Sequence, residues 1–199
     1  MRFYKKILAL LIFSQVAVSI SSAQISGKVD ADPGKEKYIP NTVVYIDHVD
    51  KVFHPPEVNP KMNQKGLKFI PHVLPVVVGT TIDFLNSDDV LHNVFTPDAC
   101  ANKFNLGTWP KNEMRSFTYD KLGCESVLLC NVHPEMEAFV LVLQNPYFAV
   151  PDGSGNFRID NVPPGRYTLK VWNDRLRAEE QEISVSNSGI TDLQIHLEK

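Results

Sequence analysis

The chain has 199 residues and is 43% hydrophobic and 22% charged, with 14 Pro, 10 Gly and 3 Cys. That is the composition of a folded chain, since a disordered one carries fewer apolar residues and more net charge. Residues 1–23 hold Arg2, Lys5 and Lys6 and no acid, so the remaining 176 residues carry 17 basic against 23 acidic side chains; such a surface repels polyphosphates and excludes nucleic acid as a partner.

The chain opens on basic Met1–Lys6. An apolar run, Ile7–Ile20, follows, interrupted only by Ser14, Gln15 and Ser19. Small residues Ser21-Ser22-Ala23 then precede Gln24. Charged, apolar and small at the cut is the order of a secretory signal peptide over residues 1–23. The apolar run is 14 residues, short of the roughly 20 that span a bilayer as a helix. An uncleaved N-terminal anchor is the alternative. No cysteine follows the small residues, so a lipoprotein anchor has no attachment point. The expectation is a periplasmic or secreted protein with no membrane span once the signal is removed. In that compartment three thiols cannot all pair internally, and the one left over needs protection of the kind a metal gives.

Beyond residue 24 the chain reads as short strands in chain order. Ile25–Val29 and Thr42–Ile46 come first. Val73–Val78, Thr80–Leu85, His92–Thr96, Arg115–Tyr119, Ser126–Cys130 and Ala138–Gln144 follow. Asn156–Asp160, Arg166–Trp172, Glu182–Ser186 and Thr191–Leu197 close the series. Ile82/Phe84, Tyr167/Leu169/Val171 and Leu193/Ile195/Leu197 each repeat at period two, which puts apolar side chains on one face of a strand. No long stretch repeats at 3.6. The fold class expected is all-β, built of sandwiches or barrels.

Two composition shifts divide the chain. Residues 51–65 are polar and Pro-rich, and Gln144–Asp152 follows a strong strand. Downstream, Asp152-Gly153-Ser154-Gly155-Asn156-Phe157 and Val162-Pro163-Pro164-Gly165-Arg166-Tyr167-Thr168-Leu169-Lys170-Val171 resemble the carboxypeptidase regulatory-like domain, a small prealbumin-like β-sandwich. Ile25–Val29 and Asn41–Ile46 match the strands with which such a domain begins. The resemblance implies a discontinuous, non-catalytic unit of residues 24–50 and 147–199, interrupted by a unit of residues 51–146. The alternative leaves residues 24–50 as extra strands of the middle unit. Asp152, Ser154, Asn156 and Asp160 alternate like part of a calcium loop, but a hairpin turn explains them, since the Gly and Glu of an EF-hand loop are missing.

The chemistry lies in the middle block. Leu91-His92-Asn93-Val94 is followed, on a later strand end, by Cys130-Asn131-Val132-His133-Pro134-Glu135-Met136. A thiolate, two imidazoles and a thioether are the donor types of a blue-copper site. Six positions from Cys130 to Met136 make a tight loop from which three side chains converge, and His92 comes from a neighbouring strand end. Soft sulfur with imidazole favours copper over magnesium, calcium or manganese. With Phe69-Ile70-Pro71 and Val78-Gly79-Thr80-Thr81-Ile82-Asp83-Phe84, residues 62–145 resemble a cupredoxin of the plastocyanin and amicyanin group, and Cys-x-x-His-x-x-Met resembles the short ligand loop of amicyanin.

The resemblance implies a Greek-key β-sandwich holding one copper ion on His92, Cys130, His133 and Met136. Asn93 would tie the two ligand-bearing segments together. Val132, where plastocyanin has Pro, would offer one more backbone N–H to the Cys130 sulfur. It implies a type 1 copper electron carrier rather than an enzyme, meeting redox partner proteins in transient docking near His133. A copper-buffering module and a small copper redox enzyme are the alternatives. With Cys130 on the metal, Cys100 and Cys124 form an even pair that an oxidising compartment joins; a Cys124–Cys130 bridge would need two residues roughly 20 Å apart on one strand to meet. His72 reads as a surface strand histidine, with a ligand or a sensor as alternatives; His48, His54 and His196 read as solvated. No Gly-x-Ser-x-Gly, His-Glu-x-x-His or Walker loop occurs.

Overall fold

A computed structural model of the chain describes residues 23–199. The signal-peptide expectation therefore lies, but for Ala23, outside the described residues. Among those described, every regular element is a strand apart from two short 3₁₀ turns, Glu36–Asn41 and Ala99–Ala101. No helix there is long and apolar enough to cross a membrane.

The strands are β1 (Ala23–Ala31), β2 (Thr42–Ile46), β3 (Lys61–Gln64), β4 (Phe69–Ile70), β5 (Val73–Val77), β6 (Thr80–Asn86), β7 (His92–Phe95) and β8 (Asn105–Trp109). Then come β9 (Met114–Tyr119), β10 (Glu125–Leu129), β11 (Glu137–Leu143), β12 (Phe148–Ala149), β13 (Asn156–Val162), β14 (Gly165–Asn173), β15 (Gln181–Val185) and β16 (Ile190–Leu197). They form four sheets. Two use only strands between residues 61 and 143, in the orders β4-β3-β6-β9 and β5-β11-β10-β7-β8. The other two use only the strands outside that range, in the orders β13-β1-β16 and β12-β2-β14-β15.

Each pair of sheets closes on its own apolar core. Strict alternation in β6 turns Ile82, Phe84 and Asn86 inward, buried in turn with exposed-side neighbours. There Ile82 and Phe84 meet Met62, Val94, Trp109, Leu128 and Val140. The outer strands bury Ile25, Val29, Ile46, Ile159, Leu169, Ile195 and Leu197 together. At about 25 cal/mol per Å² of apolar surface, each fully buried side chain of this size contributes about 1.5–3 kcal/mol.

β2 is apolar on both faces, and this decides how the units meet. Val44 and Ile46 look into the outer core, while Val43 packs with Val73, Leu141 and Leu143 of β5 and β11. Tyr45, Phe139, Phe148 and Trp172 flank that seam, with the Phe139 and Trp172 rings 5.3 Å apart. Gln144 and Asn145 close the crossing point: Gln144 Oε1 accepts the Val49 N–H at 3.1 Å and Asn145 Nδ2 donates to the Ile46 carbonyl at 2.9 Å.

Asp152 builds the turn that leads into β13. Its carboxylate accepts from the Ser154 and Asn156 backbone N–H groups at 2.8 and 2.9 Å and from Asn156 Nδ2 at 3.1 Å. The Asn156 side chain foremost, with these N–H groups, holds the Asp152 carboxyl below the usual range. Gly155 sits at φ +85°, and a Cβ there would collide with the Val29 carbonyl.

His196 is exposed but paired. On β16 it lies opposite Asp30 of β1, with Nδ1 2.6 Å from Asp30 Oδ1 and Nε2 3.2 Å from Asp32 Oδ1. The Asp30 hydrogen bond, then that to Asp32, raises its pKa. A raised histidine stabilises the fold fully below its unfolded value of about 6.5 and loses that contribution as pH rises through the folded value. The unfolding-temperature difference between the native chain and His196→Gln is therefore expected to be positive near pH ~5.5 and to fade toward pH ~8.5. A difference that grows with pH would contradict the pairing.

Candidate metal centre

His92 opens β7, and Cys130 directly follows β10, the strand that pairs with β7. His92, Cys130 and His133 each offer one donor atom, all within 4.8 Å of one another. His92 is fully buried and Cys130 is 2% exposed, while His133 is half-buried. The two imidazoles face each other edge-on, with Nδ1 to Nδ1 at 3.1 Å. Met136 is 1% exposed in the same core as Cys130. Its N–H donates to the His133 carbonyl at 3.0 Å, which closes the loop tightly. Of the cysteines described, Cys130 is the free one; Cys100 and Cys124 are joined, with Cα atoms 5.4 Å apart and a sequence separation of 24. In the loop-entropy model a closure of that length contributes about 3 kcal/mol.

The donor set can be tested for copper on its own geometry. Asp88 Oδ2 lies 2.9 Å from His92 Nε2. A carboxylate at that distance accepts, so Nε2 carries the proton and Nδ1 presents a lone pair to His133. Two facing lone pairs repel unless a proton or a metal ion stands between them. Bonds of about 2.0–2.3 Å put donors on one ion roughly 3.3–3.8 Å apart, within the span this group covers. Thiolate, imidazole and thioether are copper donors, so the residues present fit that ion.

Asn93 makes the connections that hold the two segments. Its Nδ2 donates to Asn105 Oδ1 at 2.8 Å and to the Gly107 carbonyl at 2.7 Å. Its Oδ1 accepts the Asn131 N–H at 3.2 Å, one residue beyond Cys130. The N–H that reaches the Cys130 sulfur is that of Asn93 itself, at 3.4 Å. No such bond from Val132, which is 45% exposed, is present among the described residues.

Asp88 is a site residue that the sequence reading did not single out. The fully buried Asn86 organises the loop that carries it: Nδ2 donates to the Val90 and Trp109 carbonyls at 2.8 and 3.0 Å, and Oδ1 accepts the Asp88 N–H at 2.8 Å. The Asp88 carboxylate then takes the Gly66 and Leu67 N–H groups at 2.7 and 3.0 Å as well as His92. Burial alone would raise its pKa, but the Leu67 and Gly66 N–H groups and His92 together bring it down to about 2. The available signal was an acid four residues before a candidate ligand.

His72 lies just before β5 rather than on a strand, and its side chain is 35% exposed. Nδ1 lies 3.0 Å from the Glu137 carbonyl and Nε2 3.4 Å from Asp174 Oδ2.

Compared with known proteins, the chain matches a family model described as polysaccharide lyase family 4, domain II, over residues 137–193. That is a different family from the regulatory-like module which part of this stretch resembles. No curated protein matches the chain. Among solved structures, a reduced variant of amicyanin is 22% identical with a TM-score of 0.41, covering 45% of this chain and 91% of that one. A second amicyanin variant, in its reduced Cu(I) form, is 24% identical with a TM-score of 0.40, covering 45% and 91%. A purple cupredoxin from Nitrosopumilus maritimus is 21% identical with a TM-score of 0.38, covering 42% and 99%.

Proposed function

We propose that the protein is an exported type 1 copper protein that carries single electrons. His92, Cys130, His133 and Met136 would be the ligands. The observation that carries this reading is the convergence of one buried free thiol and two imidazoles within 4.8 Å. Bound there, copper would supply a one-electron couple.

The chain's own residues do the rest. The strands behind His92 and Cys130 and the bonds of Asn93 keep the donors in place whichever oxidation state is held, which lowers the cost of reorganising around each transfer. Asp88 orients His92, and the Asn93 N–H polarises the sulfur. His133 is the ligand nearest solvent, and it is flanked by exposed Val132 and Pro134. Leu91, beside His92, is 52% exposed. A small, partly apolar face of this kind suits weak, short-lived docking with redox partner proteins. The strands outside residues 61–143 would serve as a non-catalytic scaffold of residues 24–50 and 147–199, with residues 1–23 removed on export.

The test is the visible and EPR spectrum of the chain from Gln24 onward, titrated with Cu(II). The expected result is an intense thiolate-to-copper band with narrow copper hyperfine splitting, absent in Cys130→Ser. Ordinary tetragonal copper signals, or no colour, would overturn the electron-carrier reading and favour copper buffering.

A further inference from the structure

A second group of donors lies on the seam between the two halves. His72 precedes β5, Glu137 opens β11 next to Met136, and Asp174 directly follows β14. One donor atom from each lies within 4.8 Å of the other two. A carbonyl oxygen only accepts, so the 3.0 Å contact from His72 Nδ1 to Glu137 O fixes the proton on Nδ1. Nε2 then faces Asp174 at 3.4 Å, as an ion-pair donor when it is protonated and as a free metal donor when it is not. A backbone carbonyl holding the far nitrogen is the usual support for a metal-bound histidine.

Asp174 is the less expected member. Its side chain is 3% exposed, and a buried carboxylate is costly without strong partners. Its partners are Asn41 Nδ2, which donates to both oxygens at 3.2 Å, and the ion-pair contacts of His72 Nε2 at 3.4 Å and Arg175 Nε at 3.6 Å. Charge-assisted hydrogen bonds typically run to about 2.7–2.9 Å, so each of these is long for its kind. Two donors bonded to a single zinc ion at about 2.0–2.2 Å stand roughly 3.4 Å apart, which is the His72–Asp174 separation. Arg175 reaches Glu137 at 3.5 Å, but its side chain is 57% exposed and can swing out. A cavity of about 350 Å³, lined in part by His72, Glu137 and Asn41, adjoins the group and leaves room for water ligands.

We propose that His72, Glu137 and Asp174 form a second metal site, for a divalent cation of the zinc class. One imidazole and two carboxylates with no sulfur select zinc over Cu(I). A cation there ties the end of β14 to the first residue of β11 and so fastens the outer sheets to the loop that carries Met136.

Zinc binding to the Cys130→Ser chain tests this independently of the copper reading, whose failure would leave the result unchanged. Each double variant, with Asp174→Asn or His72→Gln added, is expected to bind one zinc fewer per chain. Each should also lose a zinc-dependent rise in unfolding temperature of about 5–10 °C at roughly a hundredfold excess over Kd. Undiminished zinc in either double variant overturns the site. Long-range ¹H–¹⁵N spectra of the histidines in Cys130→Ser need no further substitution: Nε2 of His72 is expected to move to its metal-bound position. A stationary His72 also overturns the site.

Discussion

Asn93→Ala is expected to lower stability by about 2–4 kcal/mol, since it deletes three hydrogen bonds of about 1 kcal/mol each and empties a buried position. The side chain is 3% exposed, and it bonds the Asn105 side chain, the Gly107 carbonyl and the Asn131 N–H. It thus joins the β7–β8 edge to the segment after β10. Denaturant unfolding of the metal-free chain reads the loss with no copper present. Asn93→Asp is the sharper control, because it keeps the volume and the acceptor but removes the Nδ2 donor. A midpoint unchanged in both variants would show that the two segments are held by packing alone.

Asp88→Asn is expected to weaken copper binding about 10–100-fold, the usual effect of losing a partner that orients a metal-bound histidine. Competition against a chelator of known affinity measures it. The reduction potential supplies a readout that a purely structural role would not move. A carboxylate on Nε2 enriches the imidazole in electrons and favours Cu(II), so its neutralisation should raise the potential. An unchanged affinity and potential would leave Asp88 as a brace for the Gly66–Leu67 turn only.

The two sheets of the middle block were legible where each strand has one wet face. Ile82 and Phe84 alternate with polar residues, and β6 runs over Thr80–Asn86. The spacing of Leu193, Ile195 and Leu197 likewise marks β16. β3 and β8 were not legible. Lys61–Gln64 lies within the Pro-rich polar stretch and bonds in parallel to β6, so its pairing, rather than its composition, makes it a strand. Asn105–Trp109 carries Gly107 and exposes most of its side chains. β14 was found, but alternation suggested one buried face, and Trp172 on the other face packs into the seam. The candidate donors His92, Cys130, His133 and Met136 were readable because residue type and spacing carry their chemistry. Asp88, Glu137 and Asp174 were not, since an acid in a sequence looks the same whether it is solvated or turned toward an imidazole.

The placement of β1 between β13 and β16 has a consequence for the order in which the molecule is made. β1 pairs with residues 128 to 139 positions later on β13 and 165 or 166 positions later on β16. β6 and β9 pair across 29 to 39 positions. On a ribosome, or while emerging from an export channel, the middle sheets can therefore close while β1 still waits without a neighbour. A chain that stops before Ile190 leaves one edge of β1 bare, the kind of edge that sticks to other chains and attracts proteases. Strand β16 thus seals the outer unit last, and a prematurely ended product exposes its own incompleteness although its candidate metal centre is already built.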